Sequence, residues 1–245
     1  MSTSVRRNKA APLGRVIRRH GLGTNVIRKA GGSGPPTFRT SAGACVTGTP
    51  AFTLPNVAPI EAGDSVMLVL AGFNVGATFT SPSPFIRPLS ANISQELFVI
   101  EQAVGDGAWT SGGFVNGDVY AGLTVAYSGA GGFDLSTAQQ ASAALGAGGT
   151  LQVPNLVPQT SADLRVVEFA NMLSATALSL SATPNSPVTD VASVQFTNGV
   201  QVCTYMVASY ISKGGSRVPR AALTGDTFQT SVAGTLWAGV IALHG

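Results

Sequence analysis

Tyr120-Ala121-Gly122-Leu123-Thr124-Val125-Ala126-Tyr127-Ser128-Gly129 has a second copy in this chain, Trp237-Ala238-Gly239-Val240-Ile241-Ala242-Leu243-His244-Gly245. Each copy reads aromatic-Ala-Gly, then an apolar run, then Gly. The likeness extends upstream. Leu54-Pro55-Asn56-Val57 has its counterpart in Val153-Pro154-Asn155-Leu156. Ala62-Gly63-Asp64 leads into Ser65-Val66-Met67-Leu68-Val69-Leu70, and Ser161-Ala162-Asp163 leads into Leu164-Arg165-Val166-Val167-Glu168-Phe169. An internal repeat decides the architecture before any single element does. The order Pro-Asn turn, Asp-led strand, variable middle, aromatic-Ala-Gly strand predicts two related β units.

Composition agrees. Only 10% of the 245 residues are charged, while Gly numbers 30 and Pro 14. Turn formers at that density, between short Val, Leu, Thr and Phe runs, predict an all-β fold with many turns. A soluble monomer usually carries about 25% charged residues, so so few charges beside 44% apolar residues predict surface covered by partners.

Charge is divided sharply along the chain. Residues 1–39 hold Arg6, Arg7, Lys9, Arg15, Arg18, Arg19, Arg28, Lys29 and Arg39 and no acid. The other 206 residues hold five basic residues and all 11 acids, a net charge of −6. A basic arm precedes a mildly acidic body. Pro12 to Gly21 fits a short helix with Leu13, Val16 and Ile17 on one face, too short to be stable alone. Gly31-Gly32-Ser33-Gly34-Pro35-Pro36 reads as a hinge. Two roles suit the arm, and a plain solvated tail is the third reading. Val16, Ile17, Val26 and Ile27 are apolar anchors for docking into neighbouring subunits. Arg6, Arg7, Lys9, Arg15, Arg18, Arg19, Arg28 and Lys29 would neutralise phosphates of a nucleic acid. Aromatic residues for base stacking are missing before Phe38, which weighs against a single-strand reader.

Along the body, Ser65 to Leu70 predicts a strand buried on both faces. Asp64 and Asp163 are expected to accept backbone N–H groups in the turns before their strands. Strands are also expected at 51–54, 77–80, 95–101, from Trp109, at 120–127, 175–180, 200–211 and 235–243. Residues 131–148 read as a Gly/Ala/Ser-rich connector, with one helical turn at 136–141. The units are thus 1–40 (arm), 41–130, 131–148 (connector) and 149–245. Lys213 to Arg217 reads as a solvated basic tip. Cys203, inside an apolar run, reads as a buried thiol, with a Cys45–Cys203 disulfide as the alternative.

Chemistry-bearing constellations do not emerge. The two histidines, His20 and His244, stand beside no nucleophile motif. Metal-ligand spacing is missing, and the Gly clusters fall in β turns rather than ahead of a helix. No enzyme activity, cofactor or metal is therefore expected. Nor is a secretion signal or membrane span expected, since no apolar run approaches the ~20 residues that a span needs.

The motifs Leu54-Pro55, Ala62-Gly63-Asp64 with Met67 to Leu70, Pro82 to Pro84, Leu97 to Ile100 and Tyr120 to Ala126 resemble a repeated β-sandwich family of minor tail and other virion-surface proteins of tailed bacteriophages, also met in some bacterial surface proteins. The resemblance covers about 45–245. The second unit departs from it at Ser161-Ala162-Asp163 and at the charged Arg165 and Glu168. The arm is not part of it.

The resemblance implies a virion structural role without enzyme activity. The expected fold is a jelly-roll-like β-sandwich of two related repeats behind an extended basic arm. The expected function is a bacteriophage virion protein, foremost a minor tail protein. Its arm, through Arg6, Arg7, Lys9, Arg15, Val16, Ile17, Arg18, Arg19, Arg28 and Lys29, would join it to other virion proteins, with the sandwich facing outward. The alternatives are a capsid decoration protein and a coat protein whose arm binds packaged nucleic acid. A homo-oligomer is expected. Loops at 81–94, 105–117 and 213–220 are candidates for contact with a host surface or other subunits.

Overall fold

The computed structural model describes residues 34–47, 51–53, 60–73, 86–90, 95–100, 110–112, 119–174, 180–183, 190–197, 202–215 and 221–245. These residues are all-β. The strands are β1 (Thr37–Thr47), β2 (Ala51–Thr53), β3 (Ser65–Phe73), β4 (Ile86–Ser90), β5 (Gln95–Ile100), β6 (Thr110–Gly112), β7 (Val119–Ser128), β8 (Gly132–Leu145), β9 (Thr150–Gln152), β10 (Leu164–Ser174), β11 (Leu180–Thr183), β12 (Asp190–Thr197), β13 (Val202–Ser212), β14 (Thr227–Thr230) and β15 (Gly234–His244). Every ladder is antiparallel.

Two five-stranded sheets dominate, in the orders β1-β7-β3-β5-β4 and β12-β13-β10-β15-β8. A small sheet, β11-β14-β9, and a β2-β6 pair complete the set. Registers run in parallel in the two large sheets. Val66 lies opposite Ala126 and Leu70 opposite Gly122; Arg165 lies opposite Leu243 and Phe169 opposite Gly239.

The large sheets pack face to face. Because side chains alternate along a strand, Met67 and Val69 of β3 and Leu123, Val125 and Tyr127 of β7 point one way. They meet Val167 and Phe169 of β10, Tyr205 and Val207 of β13, and Trp237, Ile241 and Leu243 of β15 in one buried cluster. β3 lies against β10, β1 against β12, and β4 against β8. Phe169 and Trp237 meet edge to face at 4.9 Å, a favoured aromatic geometry. The Tyr205 hydroxyl crosses between the sheets and donates to the Ala121 carbonyl at 2.6 Å. Cys203 is a buried thiol of this cluster.

The alternate residues of β10 and β15 face the other way. Leu164, Val166, Ala170 and Met172, with Leu236, Ala238, Val240 and Ala242, form a second cluster roofed by Phe228 of the small sheet. The central strands β10 and β15 of the second large sheet are therefore covered on both faces, and they read as nearly continuous apolar runs. In β3, Ser65 to Leu70 are likewise all buried, as their unbroken apolar run predicts.

Several elements differ from expectation. Residues 132–145 form no connector with a helical turn. They are a 14-residue edge strand, β8, laddered on β15. Ala, Ser and Gln have weak strand preference, and here β15 supplies the pairing that the local sequence does not demand. β1 begins at Thr37, inside the expected arm of residues 1–40, so Arg39 belongs to β1. The expected loop 81–94 contains β4, and 105–117 contains β6. The strands expected at 77–80 and 175–179 and at Trp109 lie outside the described residues.

Candidate functional site

Among the described residues, one end of the body gathers most of the charged side chains. β7 passes into β8 through residues 129–131 alone, and Gly131 N–H donates to the His244 carbonyl. Thr37 at the start of β1 lies opposite Ser128, and Gly34 lies against Gly245. The start of β1, the β7–β8 junction and the end of β15 therefore share one pole.

Asp64 is the buried anchor of this pole. Its Oδ2 accepts the Glu61 N–H at 2.9 Å, and its own N–H donates to the Glu61 carbonyl. Gly63 stands at the position where a type II turn needs positive φ, and its φ is 94°. Arg39 then grips Asp64 with two nitrogens, at 2.8 and 3.2 Å, and reaches Glu61 at 3.0 Å. Glycine is replaced by Ala162 in the second half, and the turn is built differently. Thr160 Oγ1 accepts the Ala162 N–H, and Asp163 accepts the Gly214 N–H at 2.6 Å. Lys213 pairs with Asp163 at 3.2 Å, largely in solvent. Both aspartates thus accept backbone N–H groups, as expected, although Asp163 does so across a loop. Lys213–Gly215 folds back onto this pole beside the arm base.

Arg165, which looked like an interruption of its strand, is buried between the large sheets. Its Nε donates to the Pro36 carbonyl and a terminal nitrogen donates to Ser209 Oγ at 2.9 Å. It fastens Pro36, just ahead of β1, to β10 and β13. Asp134 and His244 stand 3.9 Å apart at the same pole. Of the expected arm contacts, Arg6, Arg7, Lys9, Arg15, Val16, Ile17, Arg18, Arg19, Arg28 and Lys29 lie outside the described residues.

Glu168 and Asp226 make a second charged group, deep in the body. Glu168 projects from β10 into the cluster under the small sheet, and both residues are buried. Asp226 N–H donates to Glu168 Oε2 at 2.9 Å. Burial first, and then the negative charge of Asp226, push the Glu168 carboxyl up to about 8 from 4.5. The pair was not foreseen, since 58 residues separate its members. The only local signal was an acid inside an apolar strand.

Among the described residues no three His, Cys, Asp or Glu side chains come together as a metal site. A dent of about 250 Å³ at the opposite pole is lined by Gly148, Ser181, Gln229, Thr230 and Ser231. Gln229 and Thr230 already bond within the protein, to the Gly148 and Val232 carbonyls. Comparison with protein-family profiles, curated proteins and solved structures finds no match to this chain.

Proposed function

We propose that this chain is a virion structural protein, foremost a minor tail protein of a tailed bacteriophage, and not an enzyme. Its body is two copies of one jelly-roll unit, stacked face to face, and its basic arm joins neighbouring virion subunits. The strand orders support the repeat. Numbering the eight strands of the second half from β8 to β15, one sheet holds the first, eighth, third and sixth, β8-β15-β10-β13. The other holds the second, seventh and fourth, β9-β14-β11. That order supports a jelly-roll unit, with the fifth strand, β12, beside β13 rather than β11. The first half fills the equivalent places in β1-β7-β3-β5 and β2-β6.

The observation that carries the functional reading is the shared pole. The arm base is clamped there by Arg165, beside Gly245 and the junction of the halves. An arm that leaves from one end of a rigid double sandwich attaches that end and turns the other outward. The outward loops then include Gly146–Gly149 and 231–233. Lys213–Gly215 lies beside the arm on the attached side, where its contacts are with other subunits rather than a host surface.

A second reading, a coat protein that binds packaged nucleic acid, draws on the basic residues of the acid-free arm. One comparison separates the two. The full chain and a chain lacking residues 1–33 are examined in low and high salt by light scattering and negative-stain microscopy. The tail reading expects a monomer or small oligomer from the full chain, and loss of particle attachment without the arm. Closed shells carrying nucleic acid from this chain alone would overturn it in favour of the coat reading.

A further inference from the structure

The small sheet meets the second large sheet over an apolar layer with one polar pair in it. Around that pair the chain is stitched by a strap, residues 223–226. Leu223 and Leu156 exchange two backbone hydrogen bonds, at 2.7 and 3.0 Å, and the Asp226 carbonyl accepts the Val153 N–H at 2.9 Å. Asp226 leads directly into β14, the middle strand of the small sheet. Its N–H donates to Glu168 at 2.9 Å. Glu168 thus ties the strap to the large sheet, and Thr230 Oγ1, which meets Met172 Sδ at 3.1 Å, is a second tie between β14 and β10.

The surroundings offer this pair little electrostatic relief. Leu164, Val166, Ala170 and Met172 flank Glu168 on β10. β15 contributes Leu236, Ala238, Val240 and Ala242, while β13 contributes Met206 and Tyr210. Phe228 of β14 and Leu151 of β9 close the layer. Among the described residues of these elements, the further titratable groups on this face are Tyr210 and, at the pole end of β15, His244, which stands 3.9 Å from Asp134 of β8. Arg165 lies on the opposite face of β10, and Lys213 is at the pole with Asp163. Two ionised carboxylates cannot share such a site cheaply, so a proton held between them is the stable arrangement.

We propose that Glu168 and Asp226 form a proton-held latch: while the pair keeps a proton, the strap and the small sheet stay closed on the second large sheet, and loss of that proton favours their opening. This inference is independent of the virion reading.

The direction and window follow from Glu168. Closed, it holds its proton up to about pH 8; opened to water, it releases it near 4.5. The closed state is therefore favoured most below 4.5, loses ground as pH rises, and levels off above about 8. The test is hydrogen exchange by mass spectrometry on the full chain, corrected for the intrinsic pH dependence of exchange. Peptides covering 150–156 and 221–233 are followed from pH 5 to 8. Wild type is expected to lose protection there by up to tenfold per pH unit, while Glu168→Gln removes the slope and Asp226→Asn reduces it. Constant protection in wild type over this range overturns the latch, whatever the variants do. So does an equal slope in wild type and Glu168→Gln.

Discussion

Asp64 and Asp163 stand at equivalent places and are held very differently. Asp64 is buried, grips Arg39 twice and accepts a turn N–H. Asp163 accepts one N–H and meets a lysine that is mostly in solvent. Asp64→Ala should therefore cost about 2–3 kcal/mol, and Asp163→Ala about 1 kcal/mol. Urea unfolding midpoints of the two variants check the ordering; equal losses would refute it. Glu168 sets a pH dependence for the whole fold. Its folded carboxyl is raised to about 8 from 4.5, so the folded chain keeps a proton that the unfolded chain releases. Wild-type stability should fall as pH rises between those values, by at most about 1.4 kcal/mol per pH unit. Melting scans from pH 5 to 8 should show Glu168→Gln gaining on wild type with rising pH. The roles of Asp64 and Asp163 were legible in the sequence because an Asp before an apolar run has few other uses. Those of Arg165 and Glu168 were not, because their partners, Pro36 and Asp226, lie 129 and 58 residues away.

At the scale of the element, the legible strands were those that bury both faces. β3, β10, β13 and β15 announce themselves as apolar runs because neither face meets water. β8 was illegible for the opposite reason. It lies at a sheet edge, most of its residues are small or polar, and its conformation is imposed by β15. The aromatic-Ala-Gly motif also finds its cause here. Gly239 lies opposite Phe169, and a Cβ on it would stand 2.5 Å from the ring. Gly239→Ala should push the ring against Trp237 and cost about 1–3 kcal/mol. Tyr205→Phe removes a hydroxyl bridge between the large sheets and should cost about 1 kcal/mol. Chemical denaturation measures both; a neutral Gly239→Ala would contradict the packing described.

At the scale of the molecule, the repeated motifs predict two related units, but they do not predict how the two large sheets stack. Both faces of β3 and of β10 are apolar, so sequence pattern alone leaves open which face meets the other half. The packing resolves it: Met67 and Val69 turn toward Val167 and Phe169, while Val166 and Met172 turn toward the small sheet. The proposed attachment by one pole depends on this rigid stack, since two loosely tethered sandwiches would not hold the arm and the far loops at opposite ends. The most direct test is native-state hydrogen exchange of the full chain under rising denaturant at fixed pH, following amides of β3 and β7 beside those of β10 and β15. A shared core predicts that both sets reach one global opening, with free energies within about 1 kcal/mol of each other. If the β3 and β7 amides open several kcal/mol below those of β10 and β15, the halves are separate sandwiches and the account of a single stacked body fails.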